Sequence, residues 1–223
     1  MDDRRLGGAT ESMNRQRFVE LWRRCPIGAA AGDASVVFAQ IQDYYSEDWR
    51  RYHTPAHLEH CLDCLDRVRH LLREPDSVEM ALWFHDAIYD TKSDDNEDRS
   101  ADWFQAAVGC HSEPTFAATV RELILVTKHG DLPSDNDAGF MVDIDLSSFG
   151  LPWEQFLDDS NNVRDEYQHL SDADFYRGQL QFLRYLLDRS SFFATPYFRK
   201  HYEARARANL KRKMDGLAKL GHV

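Results

Sequence analysis

The stretch MALWFHDAIY (residues 80–89) decides the fold, because two polar side chains, His85 and Asp86, interrupt an otherwise apolar helical pattern. Burying an imidazole beside a carboxylate is costly unless a partner compensates for the lost hydration. The partner can be a metal ion, a charged side chain or a functional cleft. Further metal-competent side chains lie on either side, in the segments 52–57 and 143–147. We interpret the three segments as one metal site.

Apolar residues recur at helical spacing along most of the chain. Thr54 followed by Pro55 is a strong start signal for a helix, with a hydroxyl at the cap and proline at the first helical position. The β-favouring run 140–144 is short, and we interpret it as the start of a helix. The patterns predict an all-α fold: residues 13–223 form one domain with long C-terminal helices, after a disordered N-terminus over 1–12.

Composition limits the classes of partner. The chain has 223 residues, 43% of them hydrophobic, which suits a globular domain. A formal net charge of -11 argues against a nucleic-acid polymer as partner, because such binding needs a basic surface. No apolar run approaches the roughly 20 residues of a membrane span, and residues 1–12 lack the apolar segment of a signal peptide. We therefore expect a cytoplasmic protein that does not bind membranes.

Four motifs carry a resemblance to a known family. They are RYHT (51–54), FHDAIYD (84–90), NEDRSA (96–101) and DIDLS (143–147). A His, a His-Asp pair and a distal Asp in this order resemble the HD-domain superfamily of metal-dependent phosphohydrolases. The four motifs are similar to a small bacterial family described as predicted metal-dependent HD phosphohydrolases, from about residue 50 to the segment ARANL (206–210). The resemblance implies an HD-type helical bundle with the metal site at its centre.

The resemblance also implies which residues bind the ion: His57, His85, Asp86 and Asp145. Adjacent helical side chains diverge by about 100°, so His85 and Asp86 can share an ion that lies between their directions. Asp143 competes for the last position, and similarity to the Ala-Asp-Leu-Ser pattern of cyclic-nucleotide phosphodiesterases favours Asp145. Such ligands suit Mn²⁺, Fe²⁺, Co²⁺, Ni²⁺ or Zn²⁺, with Mg²⁺ as a further candidate.

Other polar residues are predicted to act on the substrate. His53 matches the phosphodiesterase position that protonates the leaving oxygen, and we predict it as a catalytic residue together with the ligand Asp86. Phosphoryl contacts are predicted for four basic side chains: Arg51, Lys128, His129 and Arg164. The arginines suit bidentate phosphate binding but also surface ion pairs, and His129 also suits the C-terminal end of a helix.

A thiolate zinc site is a rival interpretation, because His57, Cys61 and Cys64 share one stripe of a helix. A zinc site of this kind normally takes its other ligands from a second element. The remaining cysteines, Cys25 and Cys110, form no second Cys-x-x-Cys motif. We therefore interpret Cys61 and Cys64 as reduced, small apolar residues that face the core.

These predictions combine into a metal-dependent phosphohydrolase that acts on a small phosphate ester, with a nucleotide as the favoured substrate. A di-iron oxygenase, which resembles inositol oxygenase, is the first alternative. It needs two additional histidines between the His-Asp pair and the last Asp, and His129 and His111 are the candidates. The second alternative is a non-catalytic HD scaffold that binds a nucleotide, and the intact ligand set argues against it.

Overall fold

The computed structural model describes residues 3–130 and 132–222, and this part of the chain is all-α, as the sequence predicts. Its α-helices are α1 (Asp3–Arg24), α2 (Ala34–Tyr45), α3 (Pro55–Val68), α4 (Pro75–Phe84), α5 (Asn96–Val108), α6 (Pro114–Leu125), α7 (Asn136–Asp145), α8 (Trp153–Glu166), α9 (Asp172–Asp188), α10 (Pro196–His201) and α11 (Glu203–Lys219). Short 3₁₀ helices follow several of them, including Val126–Lys128 and Leu146–Gly150. No strand occurs among the described residues, and the isolated bridge between Ile27 and Ser112 is the one β-type pairing there.

Proline sets the start of several helices. α3, α4, α6 and α10 each carry proline in the first turn, where the missing N–H would have no helical partner anyway. Thr54 occupies the cap position of α3 as predicted, although its side chain makes no capping hydrogen bond. The run 140–144 lies within α7, which confirms its interpretation as helix.

The chain divides into two compact units, residues 1–47 with 74–128 and residues 48–73 with 129–223. The first unit contains α1, α2, α4, α5 and α6. Its core is aromatic: the rings of Phe18 and Trp83 meet edge to face at 5.3 Å, and Phe84 contacts Phe104 at 5.1 Å. Residues 77–84 of α4 are all buried. The polar pair His85–Asp86 therefore follows a buried helix.

The second unit contains α3 and α7 to α11. Two carboxylates, the buried Asp143 and the half-buried Glu203, fix the loop before α10 in this unit. Asp143 accepts the backbone N–H groups of Ala194 and Thr195, both at 2.7 Å. Glu203 accepts those of Phe192 and Phe193. Because buried backbone donors need partners, these bonds hold a loop that has no regular structure of its own.

Two further sequence predictions concern the whole chain. Residues 1 and 2 of the predicted disordered segment 1–12 lie outside the described residues, and α1 begins at Asp3. The disordered segment and the single domain over 13–223 both stay predictions. Among the described residues, no helix combines the length and apolar character that crossing a bilayer requires.

Candidate metal centre

Two imidazoles of the second unit meet at Asp145, the last residue of α7. His57 lies in the first turn of α3, as predicted, and its Nε2 is 3.3 Å from Asp145 Oδ1. The other carboxylate oxygen, Oδ2, is 2.9 Å from His129 Nε2. His57 is 5% exposed, so the pair is shielded from bulk water. A carboxylate shared by two imidazoles is a donor set that suits a divalent transition metal.

His129 reaches Asp145 through an unusual backbone conformation. Its φ of 55° makes it the one non-glycine residue in the left-handed region among the described residues. A side chain with a Cβ adopts this region at a cost, and such strain persists where surrounding contacts enforce it. Arg189 donates to the His129 carbonyl at 2.8 Å and so fixes the strained turn. In this conformation the His129 imidazole contacts the Asp145 carboxylate. A histidine that only ends a helix would not need this contact.

Cys61 lies one helical turn after His57, and its sulfur points to the same place. Cys61 Sγ is 3.7 Å from His57 Nε2. His57, Cys61 and Asp145 each offer a ligand atom within 4.8 Å of the others. Cys61 and Cys64 are both buried, as predicted for core residues. The position of the Cys61 sulfur among ligand atoms was not predicted.

The His85–Asp86 pair belongs to the first unit. His85 directly follows α4, is fully buried, and donates from Nδ1 to the carbonyl of Leu82 at 2.9 Å. Nε2 is then the acceptor nitrogen, which is the form that ligates metal. His85 Nε2 lies 3.1 Å from Asp86 Oδ2. Because both atoms are hydrogen-bond acceptors, their closeness requires a proton or a cation between them. Convergence of this pair with His57 and Asp145 on one ion stays a prediction.

The carboxylate of Asp143 does not face the imidazoles of this cluster. It is fully buried, and both of its oxygens accept the backbone N–H groups before α10. Burial raises the pKa of Asp143 to about 7, although those hydrogen bonds act in the opposite direction. Only Asp145, of the two aspartates, has both oxygens beside imidazole nitrogens. The geometry thus favours Asp145 as the ligand, and the assignment itself stays a prediction.

His53 is held by a buried glutamate that the sequence did not single out. Glu166, the last residue of α8, places Oε2 at 2.7 Å from His53 Nδ1. Its other oxygen, Oε1, accepts the backbone N–H groups of Arg51, Tyr52 and His53 at 2.8–2.9 Å. The ring centres of His53 and His57 are 5.8 Å apart. One carboxylate therefore fixes both the loop before α3 and the imidazole that it carries.

The protonation state of Glu166 follows from this network. Burial by itself raises the pKa of a carboxyl group, but the hydrogen bond and charge of His53 and the backbone donors outweigh it. The net effect lowers the pKa of Glu166 below its ordinary value of 4.5. Glu166 is therefore ionised at neutral pH and accepts a hydrogen bond from Nδ1–H of His53. This leaves Nε2 of His53 as the nitrogen available for chemistry.

A cavity of about 300 Å³ opens beside His57 within the second unit. Tyr52, His60 and Ser148 line it, and the Tyr52 hydroxyl is 2.8 Å from Ser148 Oγ. His60 Nε2 lies 2.7 Å from Ser147 Oγ, and burial lowers the pKa of His60 to about 4, so this imidazole is uncharged at neutral pH. The cavity has the size to hold part of a small ligand next to the imidazole.

The predicted phosphate contacts have partners within the protein. The Arg164 guanidinium bonds to Asp172 and to the carbonyls of Tyr167 and Leu170. Lys128, in the first unit, pairs with Asp98. Arg51 lines the cavity beside His57, while its Nη1 donates to neighbouring carbonyls. Arg51 is the best placed of these three basic groups, and their contacts with a phosphate stay predictions.

Comparison with known proteins gives no relative: no protein-family model, no curated protein and no solved structure matches the chain. The functional conclusions therefore rest on the residues and their geometry.

Proposed function

We propose that the protein is a metal-dependent phosphohydrolase that acts on a small phosphate ester, with a nucleotide as the favoured substrate class. The observation that carries the proposal is the closeness of two histidines with different partners. His57 faces the carboxylate of Asp145, and His53, whose ring centre is 5.8 Å away, is held by Glu166. An ion-binding pair beside a positioned proton donor is the combination that hydrolysis of a phosphate ester needs.

His57 and Asp145 would hold the ion, with His85 and Asp86 as the further ligands that the sequence pattern predicts. Imidazole nitrogen and carboxylate oxygen fit a divalent transition metal. Such an ion, when bound, polarises a phosphoryl oxygen and lowers the pKa of a water molecule.

His53 acts on the leaving group. Glu166 accepts a hydrogen bond from Nδ1–H of His53, so a second proton, carried on Nε2, can pass to the departing oxygen of the ester. The carboxylate keeps the ring in one orientation. The cavity beside His57 receives the rest of the substrate, and Arg51 at its rim supplies positive charge for a phosphoryl oxygen.

The test is hydrolysis by the full chain after chelation and reloading with single metals. Mn²⁺, Fe²⁺, Co²⁺, Ni²⁺, Zn²⁺ and Mg²⁺ are each screened against nucleoside monophosphates, cyclic nucleotides and p-nitrophenyl esters. We expect metal-dependent release of phosphate or alcohol that His57→Ala abolishes and that His70→Ala, an exposed histidine of the same unit, leaves unchanged. No hydrolysis with any metal, or equal hydrolysis by His57→Ala, would contradict the proposal.

One observation favours a second candidate, a di-iron oxygenase. Asp145 directs its two oxygens to two different histidines, His57 and His129, so each oxygen with its own imidazole would hold one of two ions. Two iron ions per chain and oxygen uptake without phosphate release would support the oxygenase. One ion per chain with phosphate release supports the phosphohydrolase.

A further inference from the structure

The sulfur of Cys61 occupies a position that a core cysteine does not require. Residues four apart lie on the same face of a helix, so α3 presents His57 and Cys61 together. Cys61 is fully buried, and its Sγ approaches His57 Nε2 at 3.7 Å. Its distances to His57 and Asp145 keep all three ligand atoms within 4.8 Å of one another. The sulfur therefore belongs to the same cluster as the imidazole and the carboxylate.

Two distances in this cluster are close to the edges of a tetrahedral zinc site. Typical zinc bonds to nitrogen, oxygen and sulfur, set at tetrahedral angles, separate nitrogen from oxygen by about 3.4 Å and nitrogen from sulfur by about 3.6 Å. The distances from His57 Nε2 are 3.3 Å to Asp145 Oδ1 and 3.7 Å to Cys61 Sγ. Octahedral angles with the same bonds would need shorter edges, about 2.9 and 3.1 Å. Both distances are nearer to the tetrahedral values than to the octahedral ones.

We propose that Cys61 is a thiolate ligand that, with His57 and Asp145, selects Zn²⁺ or Co²⁺ over the harder Mg²⁺ and Mn²⁺. This inference rests on the proposed function only in taking the cluster around Asp145 as the metal site. Thiolate is a soft ligand, and one sulfur in the set moves the preference toward borderline ions. It replaces our interpretation of Cys61 as a small apolar residue of the core. Cys61 loses its thiol proton to solvent when the ion binds.

Cys64 provides a matched control on the same helix. It is buried like Cys61, but its sulfur lies 3.4 Å from Ser147 Oγ and 3.7 Å from His60 Nε2. Neither neighbour belongs to the cluster around Asp145. Replacing either cysteine by serine removes one buried sulfur from α3, so the two variants carry a similar structural cost and differ in the loss of the proposed ligand.

The experiment loads the full chain with Co²⁺ and records its near-ultraviolet absorption, where a thiolate–cobalt bond gives an intense charge-transfer band. We expect the band in the wild type and in Cys64→Ser, and its loss in Cys61→Ser. Competition with a chromophoric chelator should show Zn²⁺ affinity at least about tenfold weaker in Cys61→Ser than in Cys64→Ser. Mn²⁺ affinity should change less than Zn²⁺ affinity, since Mn²⁺ prefers oxygen ligands.

The outcomes separate this inference from the proposed function. A cobalt protein without the band, or a band that persists in Cys61→Ser, overturns the thiolate ligand, whether or not phosphate esters are hydrolysed. A band that depends on Cys61 in a protein that hydrolyses no phosphate ester supports the thiolate site and overturns the phosphohydrolase. A chain that binds neither cobalt nor zinc overturns the thiolate ligand, and the screen with the other metals then decides the phosphohydrolase.

Discussion

Asp143 and Asp145 are two residues apart on α7, yet their carboxylates have different partners. Asp143 binds the backbone before α10, whereas Asp145 faces His57 and His129. We expect Asp145→Asn to lose most bound metal while the protein stays folded. Asp143→Ala should lower the free energy of unfolding by roughly 1–3 kcal/mol for each backbone donor that it strands. Metal content by elemental analysis and urea unfolding measure the two effects, and metal loss in Asp143→Ala alone would reverse the assignment.

His53 is predicted to donate a proton without binding the ion. His53→Ala should keep the metal and lose roughly 10²–10⁴-fold in turnover on a poor leaving group. The loss should be much smaller for p-nitrophenyl phosphate, because its leaving group needs little protonation. Steady-state rates on both substrates, with metal content measured in parallel, test this. Equal losses on both substrates, or loss of the metal, would assign His53 to binding or ligation instead.

Glu166 is predicted to position His53. Glu166→Gln keeps the size of the side chain but no longer provides two anionic acceptors for Nδ1 and the loop before α3. We expect kcat to fall by about 10²-fold with a smaller change in KM, because the proton donor is misoriented while the metal site stays in place. Glu166→Asp, which keeps the charge, should recover part of the activity. Unchanged kcat in Glu166→Gln would exclude the positioning role.

The lowered pKa of Glu166 also predicts how stability depends on pH. Its folded pKa lies below its ordinary value of 4.5, so ionised Glu166 contributes its full stabilisation above pH 4.5. That contribution is lost as the pH falls through the folded pKa. Urea unfolding at neutral pH and in acid should therefore show a smaller acid-induced loss in Glu166→Gln than in the wild type. An equal or larger loss in the variant would contradict the hydrogen-bond network.

At the level of secondary-structure elements, the 3₁₀ helix Leu146–Gly150 needs a glycine at its end. A Cβ on Gly150 would lie 2.8 Å from both Cβ and Cδ1 of Tyr202. We expect Gly150→Ala to lower the free energy of unfolding by about 1–3 kcal/mol, because the segment must shift to relieve the clash. Gly178→Ala is the control. Gly178 lies inside α9, where an added Cβ would meet no other part of the protein within 4 Å. The substitution should raise the free energy of unfolding by about 0.5–1 kcal/mol. Thermal unfolding of the two variants should move in opposite directions.

The elements themselves could be predicted from local signals, and the partners of the site residues only in part. Thr54-Pro55 marks the start of α3, and helical periodicity gives the all-α class. Glu166 could not be assigned, because its four bonds to the segment 51–53 join residues more than 110 positions apart. The backbone bonds of Asp143 to the loop before α10 are likewise long-range. Such contacts depend on how the chain packs, which local sequence patterns do not encode.

At the level of the whole molecule, the sequence predicts that one ion takes two pairs of ligands. One pair is His57 with Asp145, and the other is His85 with Asp86. An ion that binds only the folded protein stabilises it, by about 2.7 kcal/mol at 100 times its Kd. For a chain of this length that free energy corresponds to a rise in Tm of roughly 5–10 °C. We expect chelation to lower Tm by this amount and free metal at 100 times its Kd to restore it.

One variant in each ligand pair tests whether all four residues bind the same ion. His57→Ala and Asp86→Ala should each lose the metal-dependent rise in Tm, because removing any ligand of a shared ion weakens the same site. The controls are His70→Ala and Asp94→Ala, both exposed, which should keep the full rise. Asp86→Ala has an additional cost, since it leaves buried His85 without its carboxylate, so its Tm without metal should also fall. A full metal-dependent rise in Asp86→Ala would show that the ion needs only the ligands around Asp145, and the four-ligand prediction would then be wrong.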